Sequence, residues 1–166
     1  MEEDDFFGDG SSADDAPPDS RSGARQVALQ ALYWEASQSG KPEDAVGELC
    51  SRFKLSSGVR VFAGTLVDCV HAHGDDIDHL IAETSKRWSP ERIARVDRLI
   101  LRLGLAEMLH LGDVPARVAI DEAVDLARAF STGKSYAFVN GILDAAAKRR
   151  ALSDTNNVSK SPPYAA

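Results

Sequence analysis

The sequence predicts an all-α protein, a two-part helical bundle of about seven helices. Three observations support this fold class. Apolar residues recur at spacings of three and four through the body of the chain, which is the period of an amphipathic helix. Strand-like alternation of apolar and polar residues is absent. Glycine and proline fall between the periodic runs, so they separate neighbouring helices.

The first half of the body predicts three helices. Ser20 is a suitable N-cap for a first helix over about 20–38. Pro42 begins a second helix over about 42–54, because proline is tolerated at the first helical position. A long third helix is expected over about 56–81, with apolar residues of its inner face at regular spacing.

The second half predicts a central helix and a closing pair. A run that starts at Ser89, with Pro90 in its first turn, leads into a helix that ends near Leu111. This helix is apolar nearly all round, which is typical of a helix at the centre of a bundle. Pro115 opens the first helix of the pair, and a break with its turn at Gly133 separates it from the last.

Charge divides the chain into a domain and two tails. The net charge is −7, but the first 19 residues hold eight acidic residues and no basic one, so the rest carries about +1. The Pro, Gly, Ser and Asp content of residues 1–19 is typical of disorder, and residues 151–166 have a similar composition. We therefore expect one domain over 20–150 between two disordered tails.

The composition favours a cytoplasmic protein. No apolar run reaches the roughly 18 residues of a membrane span, and the acidic N-terminus is the opposite of a secretory signal. Cys50 and Cys69 form no CxxC motif. They are expected to be buried thiols in a reducing compartment rather than a disulfide or a metal site.

The segment from Val114 to Asp144 is the most specific part of the sequence. It contains, in order, Asp-Val-Pro, "VAIDEAVDLA", a phenylalanine, a small polar break and "FVNGILD". This order resembles the C-terminal signature of the NusB family of transcription antitermination factors. Ala24–Tyr33 ("ARQVALQALY") is similar to the first helix of that family, and Val96–Leu109 is similar to its central buried helix. The resemblance covers about residues 21–149.

The resemblance implies a small RNA-binding adaptor. NusB proteins pair with NusE, a ribosomal protein, and bind the boxA element of ribosomal RNA leader transcripts. The pair helps to assemble an antitermination complex on RNA polymerase, and each partner favours binding of the other. The same function, without covalent chemistry or a cofactor, is expected here.

Four residues are candidates for contacts with single-stranded boxA RNA. The family places a basic arm where Arg21 and Arg25 lie, and a loop and an aromatic residue near RNA where Lys134 and Phe138 lie. Lysine can hold a phosphate while a ring one helical turn away stacks on a base. From the residues alone, a second packing face is favoured for Phe138, and it is the resemblance that favours RNA.

Three residues are candidates for the NusE surface. In the family, the tyrosine that ends the first helix and acidic residues before and within the central helix face this partner. The matching residues here are Tyr33, Glu91 and Asp97. Carboxylates at such a surface complement a basic ribosomal protein.

Two further patterns allow more than one interpretation. Basic residues at 95, 98 and 102 share one helical face. A phosphate backbone could bind there, but a solvated face with Asp97 and Glu91 as local ion-pair partners is favoured. His71, Asp75 and His79 would align on one helix as metal ligands, although a solvated face is favoured over zinc.

Asn140-Gly141 inside a helix predicts a close helix approach, with Asn140 bonded to a neighbouring backbone.

Two other classes of function stay open from the sequence. The arm holds only two arginines, which keeps open a protein-only scaffold or homodimer. NusB-like domains also occur fused to ribosomal RNA methyltransferases. However, no Gly-rich phosphate loop, nucleophile elbow or HExxH motif is present, so an enzyme is not expected.

Overall fold

The computed structural model describes residues 16–86 and 89–158, and these ranges contain helices and no strand. The predicted tails therefore lie outside the described residues, except for residues 16–19 and 151–158. The seven α-helices are α1 (Arg21–Ala36), α2 (Pro42–Arg52), α3 (Ser57–Ala72), α4 (Gly74–Thr84), α5 (Arg95–His110), α6 (Ala116–Phe130) and α7 (Ser135–Val158).

The helices form two packed groups around α5. In the first group, α1, α2 and α3 pack against one another, and in the second, α5, α6 and α7 do so. α5 also contacts α1, α3 and α4, so it lies at the centre of the molecule. Its residues Ile100, Leu101 and Leu105 are fully buried. The predicted all-α fold with a central apolar helix is confirmed.

Serine side chains begin two of the helices of the first group. Ser20 Oγ accepts a hydrogen bond from Gly23 N–H at 3.4 Å, and Ser56 Oγ accepts one from Val59 N–H at 3.5 Å. Each bond satisfies an N–H that has no partner within the helix. Asp19 links the two helix starts, because its carboxylate accepts a hydrogen bond from Ser56 N–H at 2.9 Å.

The predicted long third helix is wrong, because the chain breaks it at His73. α3 ends at Ala72 and α4 begins at Gly74, the residue with the lowest helix propensity apart from proline. The ring of His73 stacks on that of His110, with centroids 3.5 Å apart and an interplanar angle of 4°. Burial and the neighbouring His73 lower the pKa of His110.

Two helix ends also differ from the sequence-based expectation. The run beginning at Ser89 is a short 3-10 turn, Pro90–Arg92, and α5 begins only at Arg95. α7 continues to Val158, although disorder was expected from residue 151. A local ion pair supports this extension, since Arg150 lies 3.7 Å from Asp154. No helix of the described ranges is long and apolar enough to cross a membrane.

The close helix approach lies at Gly104 and not at Gly141. A Cβ at Gly104 would lie 2.9 Å from Leu143 Cδ1 and 3.3 Å from Ala123 Cβ. Glycine therefore lets α5 approach α6 and α7. Around Gly141 nothing lies within 4 Å of an added Cβ, and Asn140 is exposed as well. The packing role expected for this pair is wrong.

Candidate nucleic-acid interface

Arg25 is buried in an ion pair with the central helix. Its side chain donates through Nε to both carboxylate oxygens of Glu107, at 2.9 and 3.0 Å, and a second nitrogen lies 3.6 Å from Glu122. Arg25 and Glu107 are only 4% and 2% exposed. Burial alone would lower the pKa of Arg25, but the hydrogen bond and the charges of Glu107 and Glu122 raise it. The guanidinium is buried and bonded to Glu107, so it is not available to a phosphate from solvent. The phosphate contact expected for Arg25 does not fit this geometry.

Arg21, the other arginine of the arm, lies at the surface. Its side chain is 54% exposed, and Nη2 donates to Asp113 Oδ2 at 3.0 Å. That hydrogen bond lowers the pKa of Asp113. The guanidinium also lies 4.5 Å from the centroid of the Phe62 ring, within the range of a cation–π contact. Arg21 is therefore held in place while part of it stays accessible to an anion.

Lys134 lies on the turn between α6 and α7. Gly133 has φ +57°, a left-handed conformation that glycine adopts without strain, and the exposed Lys134 follows it. The carbonyl of Lys134 accepts hydrogen bonds from Ala137 N–H at 3.0 Å and Phe138 N–H at 3.4 Å. Phe138 is half-buried and packs partly against the core. The structure thus places an exposed cation one turn from a partly accessible ring.

Asp97 holds this turn in place from the first turn of α5. Ser131 Oγ donates to Asp97 Oδ1 at 2.6 Å, and Ser135 Oγ donates to Asp97 Oδ2 at 2.9 Å. Asp97 is 7% exposed. Both carboxylate oxygens are used internally, so Asp97 does not present the exposed carboxylate expected of a partner contact. It positions the residues on either side of Lys134.

Tyr33 and Glu91 are accessible beside the N-terminal end of α5. Tyr33 is half-buried, and the guanidinium of Arg95 lies 5.9 Å from the centroid of its ring. Glu91 is exposed on the 3-10 turn just before α5. A partner at this surface would meet a ring edge, a cation and a carboxylate.

The candidate residues divide between the two ends of the α5–α6 pair. α1 runs antiparallel to α5, because Arg25 meets Glu107 near the end of α5 and Tyr33 meets Arg95 at its start. α6 has 15 residues, so about 22 Å of helix separates its two ends. The structure places one set of candidates beside the start of α6 and the other beside its end. The first set is Arg21 and Arg25, and the second is Tyr33, Glu91, Asp97, Lys134 and Phe138.

Part of the basic face of α5 is engaged in local contacts. Arg102 forms two hydrogen bonds with the carboxylate of Asp78, both of 2.8 Å. Arg95 donates to Ser37 Oγ at 3.5 Å. The solvated, paired interpretation of this face therefore fits better than a continuous phosphate-binding stripe. The partner of Arg102 is therefore Asp78 of α4, and not Glu91 or Asp97, the local partners expected from the sequence.

The histidine pattern that suggested a metal is split by the helix break. His71 lies on α3, where its Nε2 is 2.8 Å from a carboxylate oxygen of Glu35. His79 lies on α4, 3.2 Å from Glu83. The two imidazoles therefore have separate carboxylate partners and do not share the single helical face that the metal interpretation requires.

Comparison with known proteins places the chain in a family. Residues 22–148 match the model of the NusB family. This chain belongs to the NusB family. The match begins one residue after Arg21 and ends within α7, so it includes the turn that carries Lys134 and all of the predicted partner residues.

Members of the NusB family from several bacteria are similar to this chain over most of their length. The transcription antitermination protein NusB of Symbiobacterium thermophilum is 42% identical over 132 residues, which is 75% of this chain and 86% of that protein. The protein of the same name from Dehalococcoides mccartyi is 37% identical over 138 residues, 83% of this chain and 95% of that protein.

Solved structures of NusB proteins have the same fold. T. maritima NusB superposes with a TM-score of 0.71 at 32% identity, over 78% of this chain and 91% of that one. A crystal structure of the antitermination factors NusB and NusE in complex with double-stranded RNA contains a chain that superposes with a TM-score of 0.69 at 31% identity. That match covers 78% of this chain and 96% of the other.

Proposed function

We propose that this chain is a transcription antitermination factor that binds boxA RNA together with ribosomal protein NusE. In this role it promotes processive transcription of ribosomal RNA operons, within an antitermination complex on RNA polymerase in the cytoplasm. The observation that carries the proposal is its similarity to a NusB chain solved together with NusE and RNA. The named NusB relatives support the same role. The mechanism is coupled binding without covalent chemistry.

The exposed cations define the proposed RNA path. Arg21 and Lys134 lie beside opposite ends of α6, about 22 Å of helix apart, and both are exposed. An extended single strand that follows α6 would meet one cation at each end. Phe138, one turn beyond Lys134, offers a ring on which an unpaired base can stack. Phosphate contacts hold the strand, and the ring favours unpaired bases over duplex.

The proposed NusE surface adjoins the Lys134 end of this path. Tyr33 and Glu91 lie beside the start of α5, and Asp97 ties that start to the turn that carries Lys134. A partner that orders the start of α5 would therefore also order Lys134. This shared element gives a physical basis for each ligand to favour the other.

Substitution of Lys134 and Phe138 tests the RNA path. With NusE present, Lys134→Ala is expected to weaken binding of all single strands and to reduce the salt slope by about 0.7. Phe138→Ala is expected to cost about 1–3 kcal/mol of binding with little change in that slope. Lys148→Ala is the matched control, because Lys148 is an exposed lysine of α7 whose ammonium lies 2.9 Å from Asp144.

The outcomes separate RNA contact from fold. Because Phe138 packs partly against the core, the thermal stability of its variant is measured alongside binding. If Phe138→Ala lowers the thermal stability but binds RNA normally, Phe138 has a packing role and does not contact RNA. If Lys134→Ala and the control Lys148→Ala have the same RNA affinity and salt slope, the turn that carries Lys134 does not contact RNA.

One observation favours a second candidate, a protein-only scaffold or homodimer. Arg25 is buried in its ion pair with Glu107. Arg21 is therefore the one exposed arginine of the short arm in the described residues. Its side chain already meets Asp113. If wild-type protein binds NusE or itself but shows no affinity for RNA at any salt concentration, the scaffold replaces the adaptor.

A further inference from the structure

A groove of about 580 Å³ lies where α1 and α3 begin. We call it the α1–α3 groove, and it is lined by residues 19–21, 56–59, 61, 62 and 65. Val61 is 68% exposed, the most exposed large apolar side chain of the described residues. Phe62 lies beside it and is half-buried. The groove thus combines an apolar floor with open access.

The electrostatics of the α1–α3 groove favour an acidic ligand. The N-terminal ends of α1 and α3 both border it, and a helix N-terminus carries a positive partial charge. Neither helix has an acidic residue in its first turn. Arg21 adds a positive charge over the Phe62 ring, and its ion pair with Asp113, 3.0 Å away, offsets part of that charge. Asp19 is the acid of the lining, and its carboxylate is bonded to Ser56 N–H.

The chain itself supplies a segment of matching chemistry at this position. Residues 1–15 precede Ala16, where the described chain begins. Three residues later, Asp19 lines the groove and is held there by the hydrogen bond from Ser56 N–H. This segment holds seven acidic residues, no basic one, and the adjacent Phe6 and Phe7. Eight residues lie between Phe7 and Ala16, and the nine Cα–Cα steps span up to about 30 Å when extended.

We propose that residues 2–9, "EEDDFFGD", dock into the α1–α3 groove of their own chain. Phe6 and Phe7 cover Val61 and Phe62, and the carboxylates face Arg21 and the two helix starts. A short tether gives an effective concentration on the order of 1 mM, so even weak contacts lead to substantial occupancy. The docking needs no RNA and so goes beyond the proposed function. Its consequence is that the segment competes with an anionic ligand for Arg21.

A spin label on the full-length chain tests the docking. Ser11→Cys carries the label, because Cys50 and Cys69 are buried and react slowly. The amide signals of Val61 and Thr65 should broaden strongly, whereas that of Lys134, beside the opposite end of α6, should broaden far less. Replacing Phe6 and Phe7 together by serine should weaken docking by about tenfold or more and restore the signals, since two rings lose their apolar contact.

Two variants of the folded domain give a matched comparison. Val61→Asp removes the apolar floor and should restore the Thr65 signal. Leu152→Asp introduces the same charge at a side chain of almost equal exposure, 67%, and should leave the broadening unchanged. Because both side chains are exposed, neither change should alter the fold.

Three results would overturn the proposal. The first is an absence of broadening at Val61 and Thr65. The second is broadening that persists after both phenylalanines are replaced, since the groove would then not recognise the rings. The third is broadening that arises between labelled and unlabelled copies, which would assign the groove to a second molecule.

Discussion

Removal of the cation of Arg25 should destabilise the protein far more than it changes RNA contacts. In Arg25→Met, Glu107 remains buried and loses the hydrogen bonds from Arg25 Nε, of 2.9 and 3.0 Å, the bond from Nη2, and its counter-charge. Leaving one partner of a buried pair uncompensated costs about 3–5 kcal/mol. For a chain of this length, each kcal/mol shifts Tm by roughly 2–4 °C, so Tm should fall by roughly 6–20 °C.

A double-mutant cycle in denaturant assigns this loss to the pair. Glu107→Leu alone leaves the arginine of the pair without its main counter-charge and should also be destabilising, although Glu122 lies 3.6 Å away. The double variant Arg25→Met/Glu107→Leu fills the site with apolar atoms of similar volume and should recover most of the stability. Arg21→Met is the matched control, since its ion pair with Asp113 is exposed and should contribute little.

The cycle can refute this assignment. If Arg25→Met unfolds at the wild-type denaturant concentration and instead weakens RNA binding with a smaller salt slope, the buried arrangement does not hold in solution. Arg25 would then belong to the RNA surface, as its place in the arm predicts from the sequence. A loss of stability that the double variant does not recover would show that other contacts of Arg25 dominate.

Two further predictions concern packing and pH. Gly104→Ala should lower the free energy of unfolding by about 1–3 kcal/mol, because its Cβ would lie 2.9 Å from Leu143. Gly141→Ala is the comparison, since nothing lies within 4 Å of its Cβ. It should raise the free energy of unfolding by up to about 1 kcal/mol in the same denaturant titration. The pKa of His110 is lowered from 6.5, so the unfolded chain binds its proton first as the pH falls and stability is lost below about pH 6.5. His110→Gln should flatten that part of the stability profile, and equal profiles for wild type and His110→Gln would contradict the assignment.

The fold was predictable from the sequence because most helices are marked by local features, namely the spacing of apolar residues and the residues at the helix ends. The apolar surface all round α5 predicts a central helix, and Ser20 and Ser56 mark helix starts by their capping side chains. The break at His73 and the length of α7 were not predicted. At His73 the low helix propensity of Gly74 coincides with a stacking contact to the distant His110. Near the end of α7, Arg150 pairs locally with Asp154 and also donates to the carbonyl of the distant Leu109.

The site was less predictable because its key contacts join distant parts of the chain. Arg25 and Glu107 are 82 residues apart, and nothing near Arg25 in sequence distinguishes it from the exposed Arg21. One signal was present: Glu107 is a carboxylate within the otherwise apolar run 103–109, and a buried charge requires a partner. Asp97 is similar, since its two serine donors lie beyond α6.

The most direct test of the proposed adaptor role compares boxA RNA with a scrambled single strand of equal length. Binding is measured at fixed salt with wild-type protein, with and without NusE. The account predicts a preference for boxA that strengthens when NusE is present, and weaker binding when the same sequence is annealed into a duplex. Equal affinity for boxA and scrambled RNA in the presence of NusE would contradict it.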